Sequence, residues 1–339
     1  MSILIFVLGA ALLVYTAEKL IAYLVGAAGA LRISVFLLAI VFTGIEFDDV
    51  ALGVVLNVED LGGVALGTVF GTAISMTGIV LALAALIAPT RVDIPRRYIV
   101  LFALSPLAML PFVLTPPLTA TDGAVLMLLF VAFIAYVARN ELRSQTPVFR
   151  NAEVLEKVGS GSGASSATDV PPFEVDVPFS KPLPWAGLGM ALLALVGLIA
   201  AAALTSSGIE GILDDYSIPG TVFGATIATL VLALEDIMLT VEPHRRGASE
   251  IGIGNVIGSV VFGVTAKLGI ILLTGHEVTV DDDVLAWHLP ALVVMTGLGA
   301  YFISTGRLRR WHGVLLLALY VAYWVVCLTV LGEAPVGDD

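Results

Sequence analysis

Long apolar stretches follow one another along nearly the whole chain, each ended by a short group of polar, Gly or Pro residues. Many of them approach or exceed the roughly 18 apolar residues that a helix needs to cross a bilayer. Hydropathy and the breaker residues divide the chain into ten predicted spans. These are 3–28, 33–57, 62–88, 98–116, 121–139, 185–205, 217–241, 249–274, 285–304 and 311–332. The pattern therefore predicts an all-α polytopic membrane protein with ten transmembrane helices.

Composition agrees with a membrane protein. Of the 339 residues, 58% are hydrophobic and only 13% are charged, whereas a soluble domain carries about 25% charged residues. The formal net charge of −12 does not suggest nucleic-acid binding, which needs basic patches. The single cysteine, Cys327, excludes an internal disulfide bond. The first apolar stretch lacks a basic segment and a cleavage site, so we expect it to remain as a membrane helix.

One segment near the middle of the chain has a different character. It contains GSGSGASSATDVPP, a Gly-, Ser- and Pro-rich run that buries too little apolar surface to order itself. We therefore expect a first five-helix unit at 1–139, a flexible linker at 140–183 and a second five-helix unit at 184–339. Nothing in the linker sequence identifies a regulatory role.

The charged loop residues predict the orientation in the membrane. Of the 16 Lys and Arg residues, Lys19 and Lys267 fall within spans, and the others all lie in loops on one side of the predicted topology. The loops on the opposite side carry the acids Glu59, Asp60, Asp122, Asp214, Asp215, Glu277, Asp281, Asp282 and Asp283. Because basic loops face the cytoplasm, we expect a cytoplasmic linker and two extracellular termini in a multi-pass protein of the cell membrane.

The two halves contain a similar motif. The stretches VALGTVFGTA (64–73) and IGIGNVIGSV (251–260) align position by position, and each contains GxxxG followed by a hydroxyl residue. The matched positions are Gly67 with Gly254, Gly71 with Gly258, and Thr72 with Ser259. Each GxxxG motif alone indicates close helix packing through small residues.

The same alignment, extended toward the N-terminus of each motif, matches intramembrane acids. It places Asp48 on Glu235 and Asp49 on Asp236. The spacing from the second acid to the hydroxyl residue is therefore the same in both halves, from 49 to 72 and from 236 to 259. An odd number of spans separates the copies, so they enter the membrane in opposite directions. Inverted repeats of this kind are typical of secondary transporters, which bind their substrate near the bilayer midplane.

The intramembrane acids predict a cation site. A carboxylate in hydrocarbon costs several kcal/mol unless it faces a partner, a cavity or an ion. Glu46 and Asp49 are three positions apart, which predicts that they share a helix face. Carboxylate and hydroxyl oxygens suit Na⁺ or Ca²⁺. The predicted metal ligands are Glu46, Asp49, Asp236, Thr72 and Ser259, and Asp48, Glu235 and Lys267 are predicted to line the ion path or carry protons.

Two alternative roles for these residues are weaker. Protonation, or pairing with Lys267 on the neighbouring helix, would neutralise some acids without an ion, but one lysine leaves a surplus of carboxylates. An intramembrane aspartyl protease would use Asp49 and Asp236 as its dyad, but neither lies in the GxGD setting of those enzymes. The histidines form no HxxxH or HxxE pattern of a zinc site.

The motifs resemble those of the cation/calcium exchanger superfamily, which includes the sodium/calcium exchangers. GNVIGS (254–259) is close to the second motif of that family, and GTVFGT (67–72) is a degenerate copy. The resemblance implies two inverted five-helix halves joined by a cytoplasmic linker, movement of the first and sixth helices during transport, and ion-coordinating carboxylates at Asp49 and Asp236. Two further ligand positions of the family are Met76 and Gly263 here, neither of which has a side-chain oxygen.

Together these features predict a secondary active antiporter that exchanges Ca²⁺ for Na⁺ or H⁺ across the cell membrane. It is expected to need no cofactor, to perform no enzymatic reaction and to have the lipid bilayer and small cations as partners; protein partners are left open. The departures at Met76 and Gly263 leave two alternatives. One is a proton-coupled antiporter for another cation, and the other is a divergent family member without transport activity.

Overall fold

The computed structural model describes residues 1–30, 45–141, 184–245 and 249–331, and these residues are predominantly helical. The helices are α1 Ser2–Ala30, α2 Phe47–Val58, α3 Gly62–Ile87, α4 Arg96–Val113, α5 Ala120–Glu141, α6 Pro184–Tyr216, α7 Gly220–Arg245, α8 Ser249–Leu272, α9 Val284–Ser304 and α10 Arg310–Leu331. Within the described ranges, nine helices are long and apolar enough to cross a membrane, and α2 is the shorter tenth. The predicted all-helical polytopic fold is confirmed.

Two predicted segments are only partly described. The span predicted at 33–57 is described from residue 45 onward, where α2 forms its second part. Nearly all of the linker predicted at 140–183 lies outside the described residues, which end at Glu141 and resume at Pro184. The division into two five-helix units therefore stays a prediction.

Helices α3 and α8 occupy the centre of the bundle. In their most apolar 18-residue windows, 78% of α3 and 94% of α8 are buried, against 22% in both α5 and α10. The two central helices also share a local geometry. They begin at Gly62 and Ser249 and change to a π-helical turn at Met76 and Gly263, and both pairs of positions match in the alignment of the repeated motif. This correspondence supports the predicted repeat.

Helix α3 crosses α7 closely because both carry glycine at the contact. A Cβ atom at Gly67 would lie 2.3 Å from the carbonyl oxygen of Thr221, and one at Gly224 would lie 2.3 Å from that of Val64. Any side chain at either position would therefore force the helix backbones apart. The predicted packing role of the first GxxxG motif is visible at this crossing.

Helices α1 and α6 pack side by side and run antiparallel. Gly208 of α6 lies against Phe6 near the start of α1, and Gly197 lies against Thr16 further along α1. Helix α1 is the first helix of the first predicted half, and α6 is the first described helix of the second half. An antiparallel course of these two helices is expected if the halves have opposite orientations.

Short backbone pairings join the two halves at their loops. Strand β1, Thr90–Arg91, pairs antiparallel with strand β2, Arg307–Leu308. Elsewhere Leu118 and Val278 exchange two backbone hydrogen bonds of 2.9 and 3.1 Å. Each pairing connects loops that the charge distribution predicts on the same side of the membrane.

Candidate ion-binding site

The acids of the first half lie at the beginning of α2. Asp48 and Asp49 are buried in the first turn of the helix, and Glu46 precedes it with extended backbone angles (φ −100°, ψ 96°). Negative side chains are favourable at a helix N-terminus because the peptide dipoles point their positive ends there. The prediction that Glu46 and Asp49 share a helix face is wrong, since the helix begins after Glu46. Both residues nevertheless line the same cavity.

The acid of the second half lies within α7 and faces α8. Asp236 is buried, and its Oδ1 atom accepts a hydrogen bond of 3.4 Å from Nδ2 of Asn255. The same amide donates to Oγ1 of Thr240 at 3.5 Å. Asn255 belongs to the GNVIGS motif of α8. Through its hydrogen bond to Oδ1 it positions the Asp236 carboxylate from the neighbouring helix.

A cavity of about 30 Å³ lies between these two groups of acids. Its polar lining consists of Glu46, Asp48, Asp49, Glu235, Asp236, Asn255 and Ser259, and α1 contributes Ala17 and Ile21 to its apolar lining. A space of this size holds a water molecule or a small ion. Carboxylate, amide and hydroxyl oxygens around such a space form a donor set suited to hard cations.

Three buried oxygen atoms in the cavity lining have no hydrogen-bond partner among the described residues. They are Oε1 of Glu46, Oδ1 of Asp49 and Oγ of Ser259. A buried polar atom without a partner costs about 1–3 kcal/mol. The carboxyl groups of Glu46 and Asp49 also lie within hydrogen-bonding reach of each other, so a proton shared between them would lower this cost. A cation or water in contact with them would remove that cost.

Lys267 lies beside the cavity and pairs with Asp49. Its side chain is fully buried in the π-helical turn of α8, and its Nζ atom is 2.5 Å from Oδ2 of Asp49. The ammonium also donates to Oγ1 of Thr72 at 3.1 Å and to the backbone carbonyl oxygen of Thr68 at 3.3 Å. The pairing that the sequence left open is therefore present in the structure.

The structure brings most of the predicted site residues together. Glu46, Asp48, Asp49, Glu235, Asp236 and Ser259 line one cavity. Thr72 lies apart from that lining, because its hydroxyl donates to the carbonyl oxygen of Thr68 at 2.8 Å and accepts from Lys267. Among the described residues, no three Asp, Glu, His or Cys side chains converge closely enough to form a ready metal cluster. The acids surround the cavity without meeting at one point.

Sequence reasoning missed two contributors. Asn255 was part of a recognised motif but not a predicted ligand, and the motif itself was the signal that identified it. Thr68 contributes through its backbone carbonyl, and no side-chain pattern reveals such a contact.

Comparison with known proteins agrees with the fold and with the motifs. The family described as sodium/calcium exchanger protein matches residues 1–139 and 186–329. An uncharacterized membrane protein of Methanocaldococcus jannaschii is 26% identical over 266 residues, which cover 76% of this chain and 75% of that protein. The sodium/calcium exchanger MaX1 of Methanosarcina acetivorans is 36% identical over 110 residues, 32% of this chain and 31% of that protein.

A solved structure has the same fold. The sodium-calcium exchanger NCX_Mj, in crystals soaked with Na⁺ and Sr²⁺, matches with a TM-score of 0.57 at 22% identity, covering 97% of this chain and 100% of that one. At this identity the likeness concerns the fold alone. The match to the family covers most of both halves, so it shows family membership as well as fold. The chain therefore belongs to the sodium/calcium exchanger protein family, as a multi-pass membrane cation exchanger and not an enzyme.

Proposed function

We propose that the protein exchanges Ca²⁺ for Na⁺ or H⁺ through the carboxylate cavity between α2, α7 and α8. The observation that carries the proposal is the position of Asp49 and Asp236, one from each half, on the lining of one small cavity. Partnerless oxygens of Glu46, Asp49 and Ser259 on the same lining support a cation as the occupant. The proposal is also consistent with the names of the relatives, which include a sodium/calcium exchanger.

The residues have different proposed roles. Asp49 and Asp236 are the central ligands, Glu46 adds a third charge, and Ser259 supplies a neutral oxygen. Asp48 and Glu235 line the access path, where they exchange protons or attract cations. Thr72 contributes its oxygen to the neighbouring ammonium of Lys267, and joins the ion's ligands only if Lys267 moves away.

Access to the cavity changes, in this proposal, through movement of α1 and α6 against the central helices. Ala17 and Ile21 of α1 form part of the cavity lining, so a shift of α1 opens or covers the site directly. The close antiparallel packing of α1 with α6 makes the pair a natural moving unit. Gating by one helix pair against a fixed core is a known mode of alternating access.

Calcium-45 uptake into proteoliposomes tests the function. Wild type is compared under an outward Na⁺ gradient and under an outward H⁺ gradient, with Asp49→Asn and Asp236→Asn in the same lipids. We expect uptake under one gradient and a loss of at least about tenfold in both variants, since about 1.4 kcal/mol of lost binding is already tenfold. Asp282→Asn, which changes an exposed acid just before α9, is the matched control and should retain uptake.

The outcomes separate the remaining alternatives. Uptake driven only by the H⁺ gradient identifies proton coupling. Absence of calcium flux under both gradients, in protein that elutes as a single folded species, removes the calcium assignment, and flux of other cations is then measured. Absence of all cation flux leaves a divergent family member without transport activity, which the loss of side-chain oxygens at Met76 and Gly263 would explain.

A further inference from the structure

Lys267 is a charged group at the centre of a membrane protein and is held like a bound ion. Its side chain is fully buried, and α8 is the most buried of the described membrane-length helices. An ammonium in such a place needs compensation by an opposite charge and by hydrogen-bond acceptors. An ammonium has three N–H donors, and Lys267 has three acceptors within 3.3 Å of Nζ.

The three acceptors are of the types that bind alkali cations. They are a carboxylate oxygen of Asp49, the hydroxyl oxygen of Thr72 and the backbone carbonyl oxygen of Thr68. Hard cations take this mixture of carboxylate, hydroxyl and carbonyl oxygens in proteins. Nζ of Lys267 thus lies where three oxygen atoms of these types converge.

This group of acceptors adjoins the proposed transport cavity and shares a residue with it. Asp49 gives Oδ2 to Lys267, while its Oδ1 atom has no hydrogen-bond partner among the described residues, and Asp49 lines the cavity. The two matched hydroxyl residues, Thr72 and Ser259, also differ in whether they contact Lys267. Thr72 is bonded to Lys267, whereas its counterpart Ser259 has an Oγ without a partner in the described part of the chain.

The lysine is present in one half only. In the alignment of the repeat its counterpart is Val80, a fully buried apolar residue at the end of the other π-helical turn. Gly263, one turn earlier on α8, faces Ala73, Thr72 and the carbonyl oxygen of Val69 on α3. A Cβ atom there would have nothing closer than 3.9 Å, and it would lie 4.0 Å from Oγ1 of Thr72.

We propose that the ammonium of Lys267 permanently occupies a monovalent-cation subsite formed by Asp49, Thr72 and Thr68, and so replaces one mobile cation in the exchanger. The inference rests on the proposed function in that it assigns the cavity acids to cation binding. With Lys267 balancing Asp49, a single divalent ion balances the two other proposed acidic ligands, Glu46 and Asp236, while Asp48 and Glu235 keep their proposed roles on the access path. Each transport cycle then involves one coupling cation fewer than it would with an uncharged residue at position 267.

Lys267→Met tests the subsite, because it approximates the length of the side chain and removes the charge. Sodium-22 binding to the purified protein is measured by equilibrium dialysis, with choline chloride keeping the ionic strength constant. We expect Lys267→Met to bind one more Na⁺ per protein than wild type. Lys19→Met is the matched control: Lys19 is the other lysine within a predicted span, its Nζ lies 5.3 Å from the ring centroid of Tyr15, and its removal should leave the Na⁺ count unchanged.

Thermal unfolding provides the second readout. The midpoint of Lys267→Met should rise with Na⁺ concentration over choline, since an ion that binds only the folded state stabilises it; wild type and Lys19→Met should show a smaller shift. If Lys267→Met does not fold, Lys267→Gln, which keeps a hydrogen-bond donor, is measured in the same way. Equal Na⁺ counts and equal midpoint shifts in a folded Lys267 variant and wild type would overturn the proposal.

The two proposals fail separately. Wild type without calcium flux would remove the calcium assignment, while an additional Na⁺ in Lys267→Met would still establish the subsite. Conversely, full wild-type flux together with an unchanged Na⁺ count in Lys267→Met would leave the transport function and remove the role of Lys267.

Discussion

At the scale of single residues, the site depends on a buried ion pair between distant parts of the chain. Lys267 lies in α8 and Asp49 in α2, in opposite halves of the sequence, and both side chains are almost completely buried. Breaking a buried pair by removing one partner costs more than removing both, because the remaining charge has no compensation. Asp49 therefore has two duties, one toward the fold and one toward the cation.

The ion pair yields a prediction about stability. In choline chloride, Lys267→Met should lower the free energy of unfolding by about 3–5 kcal/mol, the usual cost of leaving a buried charge unpaired. The double variant Asp49→Asn/Lys267→Met should recover part of that loss. Denaturant unfolding in detergent micelles measures both. A double variant less stable than either single variant would contradict the uncompensated-charge explanation.

The two hydroxyls of the repeat yield a second prediction. Ser259→Ala removes a buried Oγ without a hydrogen-bond partner among the described residues, so folding stability should stay the same or rise slightly. The concentration of Ca²⁺ for half-maximal uptake should increase severalfold, since a neutral ligand is lost. Thr72→Ala should instead lower the unfolding midpoint, because it removes an acceptor from Lys267. Equal effects of the two substitutions on stability would contradict this distinction.

At the scale of helices, hydropathy predicted existence and type well and local deviations poorly. Long apolar stretches predicted the membrane helices, because burial in lipid demands continuous apolar sequence. The beginning of α2 after Glu46 was not predicted, because hydropathy does not report the backbone angles of a single residue, and Glu46 has an extended backbone. The π-helical turns at Met76 and Gly263 also have no residue signature, because they depend on packing between helices.

The site was predictable as far as the repeat extended. The alignment of the two halves paired Asp49 with Asp236, and both line the cavity. It offered no charged counterpart for Lys267, whose partner is fixed only when α8 packs beside α2 and α3. Asn255 was within reach of the motif, and the carbonyl of Thr68 was not, because backbone contacts carry no side-chain pattern.

The crossing of α3 with α7 yields a third prediction. Gly67→Ala should destabilise the protein by about 1–3 kcal/mol through overpacking, because its Cβ would lie 2.3 Å from the carbonyl oxygen of Thr221. Calcium uptake should fall as well, since the crossing positions the helix that carries Asp236. Gly297→Ala is the control. No atom lies within 4 Å of a Cβ there, and a helical Gly→Ala change with open space gains up to about 1 kcal/mol. Unfolding midpoints compare the two.

At the scale of the whole molecule, loop contacts and loop charges sort the loops in the same way. The pairing of Thr90 with Leu308 and that of Leu118 with Val278 each join loops predicted on the same side. Contacts alone do not distinguish the cytoplasmic from the external side, which rests on the distribution of Lys and Arg.

The orientation yields a fourth prediction. In intact cells, a membrane-impermeant maleimide should label Asp282→Cys and leave Arg91→Cys unlabelled until the cells are permeabilised. Both positions are exposed, and the native Cys327 is fully buried and gives little background. The reverse labelling pattern would show that both termini and the linker are on the sides opposite to those proposed.

The two backbone pairings between loops lie on opposite faces of the bundle. One pairing joins β1 and β2 and is extended by a hydrogen bond of 3.1 Å from the backbone N–H of Val92 to the carbonyl oxygen of Gly306. The other pairing is the exchange of backbone hydrogen bonds between Leu118 and Val278. A hinge motion that separated the two halves at either face would break these backbone hydrogen bonds. In the proposed transport cycle we therefore expect α1 and α6 to move along the central helices α3 and α8, rather than the two halves to separate. A cross-link across either loop pairing should consequently leave calcium uptake intact, whereas a cross-link between α1 and a central helix should stop it.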